Sequence, residues 1–196
     1  MMKDNKVTGN WRAIVINNKD PMGKGRIQAR VFGLYDGMGD DMIPWAEYAD
    51  PLMGGGRDSG GIFIPDEGDK VWVFFEACDP NQPVYFAGAP SMLDMPNLME
   101  DGFPHTRAFK DKSGNAVIMS GAEGNERIHV VHKSGTHTLY NSNGDVIEHI
   151  TGNVNRTIEG NLTELVKGER LLAADGKNTI STKESNFITA QSENNI

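Results

Sequence analysis

Glycine recurs at every eighth residue in the C-terminal part of this chain of 196 residues, and that spacing limits the possible folds more than any other feature. The series is Gly144, Gly152, Gly160, Gly168 and Gly176. Apolar residues follow the same period, two positions before a glycine or two positions after it: Ile150, Ile158, Val166, Val146, Val154 and Leu162. Because eight is even, an extended chain turns these side chains to the same side in every repeat. The pattern predicts one short strand and one corner per repeat, with a glycine at each corner, because a residue without Cβ can adopt a positive φ and allows close backbone approach.

Such strands are incomplete in a single chain. Each one leaves its apolar side chains and the backbone groups of its edges without partners, because the chain turns away at the next glycine. Three identical chains wound about one axis remove both defects, since each edge then pairs with a neighbour and the apolar side chains fill a shared interior. We therefore expect a homotrimer, with residues 144–182 forming an intertwined triple-stranded β-helix, or β-prism. Residues 183–196 are expected to form a tip or a frayed tail.

Three charged residues complicate this pattern. Glu148, Arg156 and Glu164 have the same parity as the apolar residues. Either the corner turns them outward, or they lie inside the prism and pair between chains.

The first 90 residues predict a small barrel domain. Short apolar runs alternate with turns, and residues 26–32 place Ile27, Ala29 and Val31 on one face and polar residues on the other, as in a half-buried strand. About five such strands with long loops are typical of a small barrel. Residues 91–107 predict a linker that either lies on its own domain or contacts another subunit. Residues 108–143 predict a strand meander, because turn signals recur there about every ten residues.

Composition excludes several classes of function. The formal net charge of −8 opposes binding to nucleic acid or to an anionic membrane surface. Cys78 is the only cysteine, which excludes an intrachain disulfide and a cysteine-based zinc site. We expect neither an export signal nor a transmembrane helix, because no run of about 18 apolar residues occurs.

The repeat of Ile or Val two residues before Gly152, Gly160 and Gly168 resembles the β-prism of the central spikes of contractile phage tails and of the valine-glycine-repeat spike of type VI secretion. Four upstream segments resemble, in order and spacing, the oligonucleotide/oligosaccharide-fold (OB-fold) domain of those spikes: residues 25–32, 43–46, 65–76 and 79–88. Residues 125–135, followed by Asn143 and Gly144, resemble the lead-in to the prism.

This resemblance implies an all-β protein with an N-terminal five-stranded OB-fold barrel and a trimeric β-prism. It implies the central spike of a phage tail baseplate, which docks on a trimeric hub protein through its N-terminal domain and pierces the host envelope on sheath contraction. The implied location is the virion tail, after assembly in the host cytoplasm, with only transient contact with the host envelope.

Two departures from the family matter. Some relatives have a lysozyme domain between barrel and prism, but residues 91–107 are too few for one, so we expect no enzymatic activity. Some short spikes end in a His-x-His pair that binds iron, whereas no histidine follows Gly176. A small tip-capping protein is therefore an expected partner, covering the open strand edges at the end of the prism.

No catalytic, cofactor-binding or metal-binding residues are expected. His129 and His132 are three apart and would face opposite sides of a strand, whereas His137 and His149 could form a ring across a threefold axis, which the sequence of one chain does not show. The loop 54–57 lacks the ending of a phosphate-binding loop, and Cys78 is expected to be a buried small hydrophobe. No motif singles out the pair of carboxylates that a glycosidase needs. The Gly-x-Ser-x-Gly elbow of serine hydrolases does not occur in the sequence.

Two other functions remain open from the sequence. The first is a trimeric OB-fold module that binds oligosaccharide, or less readily nucleic acid, with the repeat as a stalk. The second is a cell-wall hydrolase, which would clear purified peptidoglycan.

Overall fold

A computed structural model describes residues 6–51, 54–56, 58–95 and 102–185 of the chain. Two units divide it: the first ends at Thr151 and the second begins at Gly152. In the described residues of the first unit the regular structure is β-strand, apart from two short 3-10 turns, and the strands form a closed barrel and a separate sheet. The prediction of an all-β chain with a five-stranded N-terminal barrel is confirmed.

The barrel consists of β1 (Trp11–Asn17), β2 (Ile27–Val31), β3 (Trp45–Tyr48), β4 (Lys70–Phe75) and β5 (Pro83–Gly88). Their order around the barrel is β1-β2-β3-β5-β4, and β4 pairs again with β1. All pairs are antiparallel except β3 with β5. Alternate residues point inward, as the period of two requires, and the core contains Ala13, Val15, Ile27, Val31, Val71 and Val73.

Gln28 lies on the face of β2 that the sequence predicts to be polar, but it is buried. Its Nε2 donates a hydrogen bond to the carbonyl oxygen of Ile43 at 2.7 Å, and its Oε1 accepts one from Nδ2 of Asn17 at 2.9 Å. The amide therefore ties β1 and β2 to the segment before β3, and these bonds offset the cost of burying it.

The second sheet is an antiparallel meander of five consecutive strands: β6 (Thr106–Lys110), β7 (Ala116–Ser120), β8 (Arg127–Val131), β9 (His137–Tyr140) and β10 (Val146–His149). It begins one residue before the predicted end of the linker at 107. It also extends past the predicted start of the prism at 144. Gly144 lies in the hairpin turn between β9 and β10 with φ of +84°, and Val146 pairs with Tyr140. Gly144 and Val146 are therefore part of the hairpin between β9 and β10: Gly144 lies in its turn, and Val146 is the first residue of β10.

Backbone bends recur every eight residues in the C-terminal segment. They lie at residues 151–152, 159–160, 167–168, 175–176 and 183–184. The described residues between these bends form no paired strand, and the side chains from 152 to 185 are exposed. The triple-stranded β-helix stays a prediction.

The conformation of the repeat glycines differs from the one expected at a corner. Positive-φ glycines occur as far along the chain as Gly144, and Gly152, Gly160, Gly168 and Gly176 are not among them. The bends therefore do not use the left-handed conformation that glycine tolerates, and the idea that these corners need a positive φ is wrong.

Candidate functional site

The apolar side chains of the repeat form two series, and each series repeats its degree of exposure. Ile150, Ile158 and Val166 are 41%, 42% and 43% exposed, whereas Val154 and Leu162 are 64% and 63% exposed. Such regular values mean that successive repeats present equivalent apolar side chains to their surroundings. Each of these side chains contributes roughly 1.5–3 kcal/mol when it passes from water to a fully buried position. In the single chain these side chains remain exposed, so this stabilisation is not realised.

The glycines of the repeat stand in open space. A Cβ built on Gly152, Gly160, Gly168 or Gly176 meets no heavy atom within 4 Å in the single chain. Neither a positive φ nor a close contact within the chain therefore explains the absence of a side chain at these four positions.

One face of the second sheet is apolar and exposed; we call it the apolar sheet face. The strand register places seven side chains on it, 38–56% exposed: Phe109, Val117, Met119, Ile128, Val130, Tyr140 and Val146. Phe63, from the loop before β4, stacks on Phe109 with ring centroids 6.1 Å apart. A contiguous apolar surface of this kind is typical of an interaction site rather than of a free surface.

The opposite face of the sheet contains three histidines in a row across β8, β9 and β10; we call them the histidine row. The ring centroids of His129 and His137 lie 5.2 Å apart, and those of His137 and His149 lie 5.3 Å apart. Burial, followed by the neighbouring His137 and Arg127, lowers the pKa of His129. His132 lies beyond the end of β8 and is exposed.

The sequence analysis considered His129 with His132 and His137 with His149 as separate pairs, and it missed the histidine row. The sequence does contain a signal for the contact between His137 and His149. Both residues lie at the same distance along the chain from Asn143, the centre of the hairpin between β9 and β10, so the hairpin makes them direct partners. His137 contacts both His129 and His149 within a single chain. In the part of the chain that the structure describes, no group of three or more His, Cys, Asp or Glu side chains is placed to hold a metal ion.

The loop between β1 and β2 is closed by an ion pair. Nη2 of Arg26 lies 2.7 Å from Oδ1 of Asp20, whose carboxylate also accepts hydrogen bonds from the backbone N–H groups of Met22 and Lys24. Hydrogen bonding to Arg26 and to these N–H groups holds the pKa of Asp20 well below its usual range, although burial opposes the shift. Tyr85 donates a hydrogen bond from its hydroxyl to the carbonyl of Gly25, which fixes the same loop to β5.

Salt bridges join the barrel to the second sheet. Nζ of Lys112, in the turn between β6 and β7, lies 2.7 Å from Oδ1 of Asp69 and 3.2 Å from Oδ2 of Asp66. A cleft of about 630 Å³ opens beside this contact, and its lining includes Tyr48, Tyr85 and Phe86. The two sheets are thus connected through exposed charged pairs, which stabilise only weakly.

Cys78 and the loop 54–57 were also considered in the sequence. Cys78 is half-buried rather than buried, because it lies in a tight turn at the end of β4 with a positive φ of 62°. Its carbonyl accepts a hydrogen bond from the N–H of Val7 at 3.0 Å. In the loop 54–57, Arg57 lies outside the described residues.

Comparison with known proteins identifies the barrel. Residues 11–89 match the family model of the type VI secretion system/phage-baseplate injector OB domain, and this span corresponds to β1–β5. No curated protein matches the chain. Among the described residues no helix has the length and apolar character needed to cross a membrane. The matched family consists of structural baseplate domains and supports a spike-related role in a phage baseplate or a type VI injector. Residues 11–89 are therefore similar to the injector OB domains of phage baseplates and type VI secretion systems.

Proposed function

We propose that this protein is the central spike of a contractile injection machine, a phage tail baseplate, and that it acts as a homotrimer. The barrel docks on a trimeric hub protein, and the repeat forms a triple-stranded β-prism that pierces the host envelope on sheath contraction. The observation behind the proposal is the joining, in one chain, of an injector OB domain to a repeat whose equivalent apolar side chains are all exposed.

Trimer formation accounts for both surfaces that the single chain leaves uncovered. The repeat contributes its apolar side chains to a shared interior, and its backbone groups pair with those of neighbouring chains. The apolar sheet face continues this interface, because Val146 on that face precedes Val154 and Leu162 at the same interval of eight. Interfaces that are obligatory for folding are apolar in this way.

The repeat glycines support the same arrangement. Their Cβ positions are open in the single chain and their φ values are ordinary, so any side chain would fit there if the chain were alone. Glycine is required if the backbone of a neighbouring chain passes close to each bend. Three chains wound about one axis bring neighbours that close at regular intervals.

Mechanical rigidity follows from this assembly. Chains that are hydrogen-bonded to each other around a common apolar interior do not separate without exposing that interior to water. Such a prism transmits an axial force without enzymatic help, so the spike acts without lysozyme activity. A small tip protein caps the open strand edges at the C-terminal end.

The mass of the full chain in native solution tests the proposal. We expect three times the chain mass of 21.5 kDa, unchanged on dilution. A stable monomer would contradict the spike function, and saturable binding of a glycan by such a monomer would favour the oligosaccharide-binding module. Incubation with purified peptidoglycan is expected to produce no clearing.

A further inference from the structure

The histidine row lies on the face of the sheet opposite the apolar sheet face. His137 and His149 are direct partners in the antiparallel pairing of β9 and β10, and their rings are stacked with an angle of 29° between their planes. Partners of this kind have Cβ atoms about 4.5–5.5 Å apart, so both imidazoles reach the same volume above the sheet. His149 is exposed and can turn about its side-chain bonds.

The backbone fixes the protonation of His137. Its Nδ1 lies 2.9 Å from the carbonyl oxygen of Gly135, and a carbonyl oxygen only accepts hydrogen bonds. Nδ1 therefore bears the hydrogen, and in the neutral ring Nε2 has a free lone pair. Histidines that bind metal ions usually donate their other ring N–H to a carbonyl or carboxylate in this manner.

His129 adds a second observation on the same face. Its Nε2 is buried and has no hydrogen-bond partner within the described ranges. A buried polar atom without a partner is uncommon and indicates a missing water or ion.

We propose that His137 and His149 bind a divalent transition metal ion of the Zn²⁺ or Cu²⁺ class through their Nε2 atoms. His129, whose ring packs edge-on against His137 on the side away from His149, borders the pair and is not a ligand. Imidazole ligands favour zinc, copper and nickel over calcium and magnesium, which need oxygen ligands. The nearest carboxylate in sequence, that of Glu148, lies on the opposite face of β10. With two protein ligands and water in the other positions, the site is weaker than a four-ligand structural zinc site.

The position of this site gives it a structural effect. An ion held by His137 and His149 cross-links β9 and β10, the last two strands before the repeat begins after Thr151. Because only the folded sheet brings the two rings together, the bound ion stabilises the fold, and the stabilisation rises with the logarithm of the ion concentration once that exceeds the dissociation constant. The site is complete within one chain and does not depend on the proposed trimer.

Isothermal titration of the tag-free full chain with zinc chloride tests the proposal. We expect one Zn²⁺ per chain, and a loss of affinity of about tenfold or more in His137→Gln and in His149→Gln. His132→Gln is the matched control, because His132 is an exposed histidine outside the row, and it is expected to bind as the unaltered chain does. Absence of zinc binding overturns the proposal, as does unchanged affinity in His137→Gln or an equal loss in His132→Gln.

A measurement on the unaltered chain does not depend on the folding of the variants. Electron paramagnetic resonance of the chain loaded with one equivalent of Cu²⁺ is expected to reveal splitting from at least two imidazole nitrogens. A spectrum of a copper ion bound by oxygen ligands alone would overturn the assignment.

Discussion

The guanidinium of Arg26 and the carboxylate of Asp20 meet at 2.7 Å in the loop that leads from β1 to β2. The side chains are only 15% and 3% exposed, which is unusual for a pair of opposite charges in a loop. The same carboxylate accepts hydrogen bonds from two backbone N–H groups, so it organises the whole turn. This loop precedes β2, whose residues Ile27 and Val31 are completely buried in the barrel.

We expect this ion pair to make the barrel sensitive to acid. Because the pKa of Asp20 is lower in the folded chain than in the unfolded one, the unfolded state binds the proton first as the pH falls. The contribution of Asp20 to stability is complete above the ordinary aspartate pKa of about 3.9 and is lost progressively below it. Asp20→Asn should lower the urea midpoint at pH 7 and flatten the decline of stability below about pH 4. Asp41→Asn, a change at an exposed aspartate, is the control and should leave the profile unaltered.

Gln28 provides a test of the polar contacts of the barrel. Gln28→Leu removes the donor to the carbonyl of Ile43 and the acceptor for Asn17, and it leaves these partners without hydrogen bonds in a buried place. We expect a loss of about 1–3 kcal/mol in the free energy of unfolding, measured by chemical denaturation. Gln82→Leu, on the exposed turn before β5, should change stability by no more than about 0.5 kcal/mol. Equal effects of the two substitutions would contradict the importance of these buried hydrogen bonds.

The barrel could be predicted because its local patterns agree with its tertiary structure. Ile27, Ala29 and Val31 alternate with polar residues, and the turns that separate the strands contain glycine, proline and aspartate. The burial of Gln28 could not be predicted, since it depends on hydrogen-bond partners that are 11 and 15 residues away. The histidine row depends on the register across two hairpins, which periodicity within one strand does not reveal.

Two sequence patterns coincide at Gly144. Gly144 falls in the series of eight, but it also ends an Asn-Gly pair, which is the strongest short signal for a hairpin turn. The hairpin determines its conformation, since Val146 and the residues after it pair with β9. From Gly152 to Gly168 no Asn-Gly or Asp-Gly pair coincides with the period of eight, and the bends follow that period.

Charge placed in the repeat should prevent assembly without unfolding the barrel. Leu162→Asp introduces a carboxylate among the side chains that the proposed prism buries, and an unpaired buried charge costs several kcal/mol. We expect the native mass to fall from that of a trimer to that of a monomer. Asn161→Asp adds the same charge one residue away, on the other side of an extended chain, and should remain trimeric. If both variants remain trimeric, Leu162 does not lie in the interior of the assembly.

The glycines of the repeat allow a test in which the two states of the chain give opposite results. In the single chain, Gly160 has no positive φ and its Cβ position is open, so Gly160→Ala should be neutral or should stabilise by about 0.4–1 kcal/mol through the unfolded state. In the proposed trimer, the backbone of a neighbour occupies that space, and the added methyl group should cost about 1–3 kcal/mol, as overpacking does. We therefore expect a lower melting temperature of the assembled protein. Asn161→Ala, which adds no Cβ, is the control and should melt close to the unaltered protein. An unchanged or raised melting temperature in Gly160→Ala would mean that no second chain passes close to this bend.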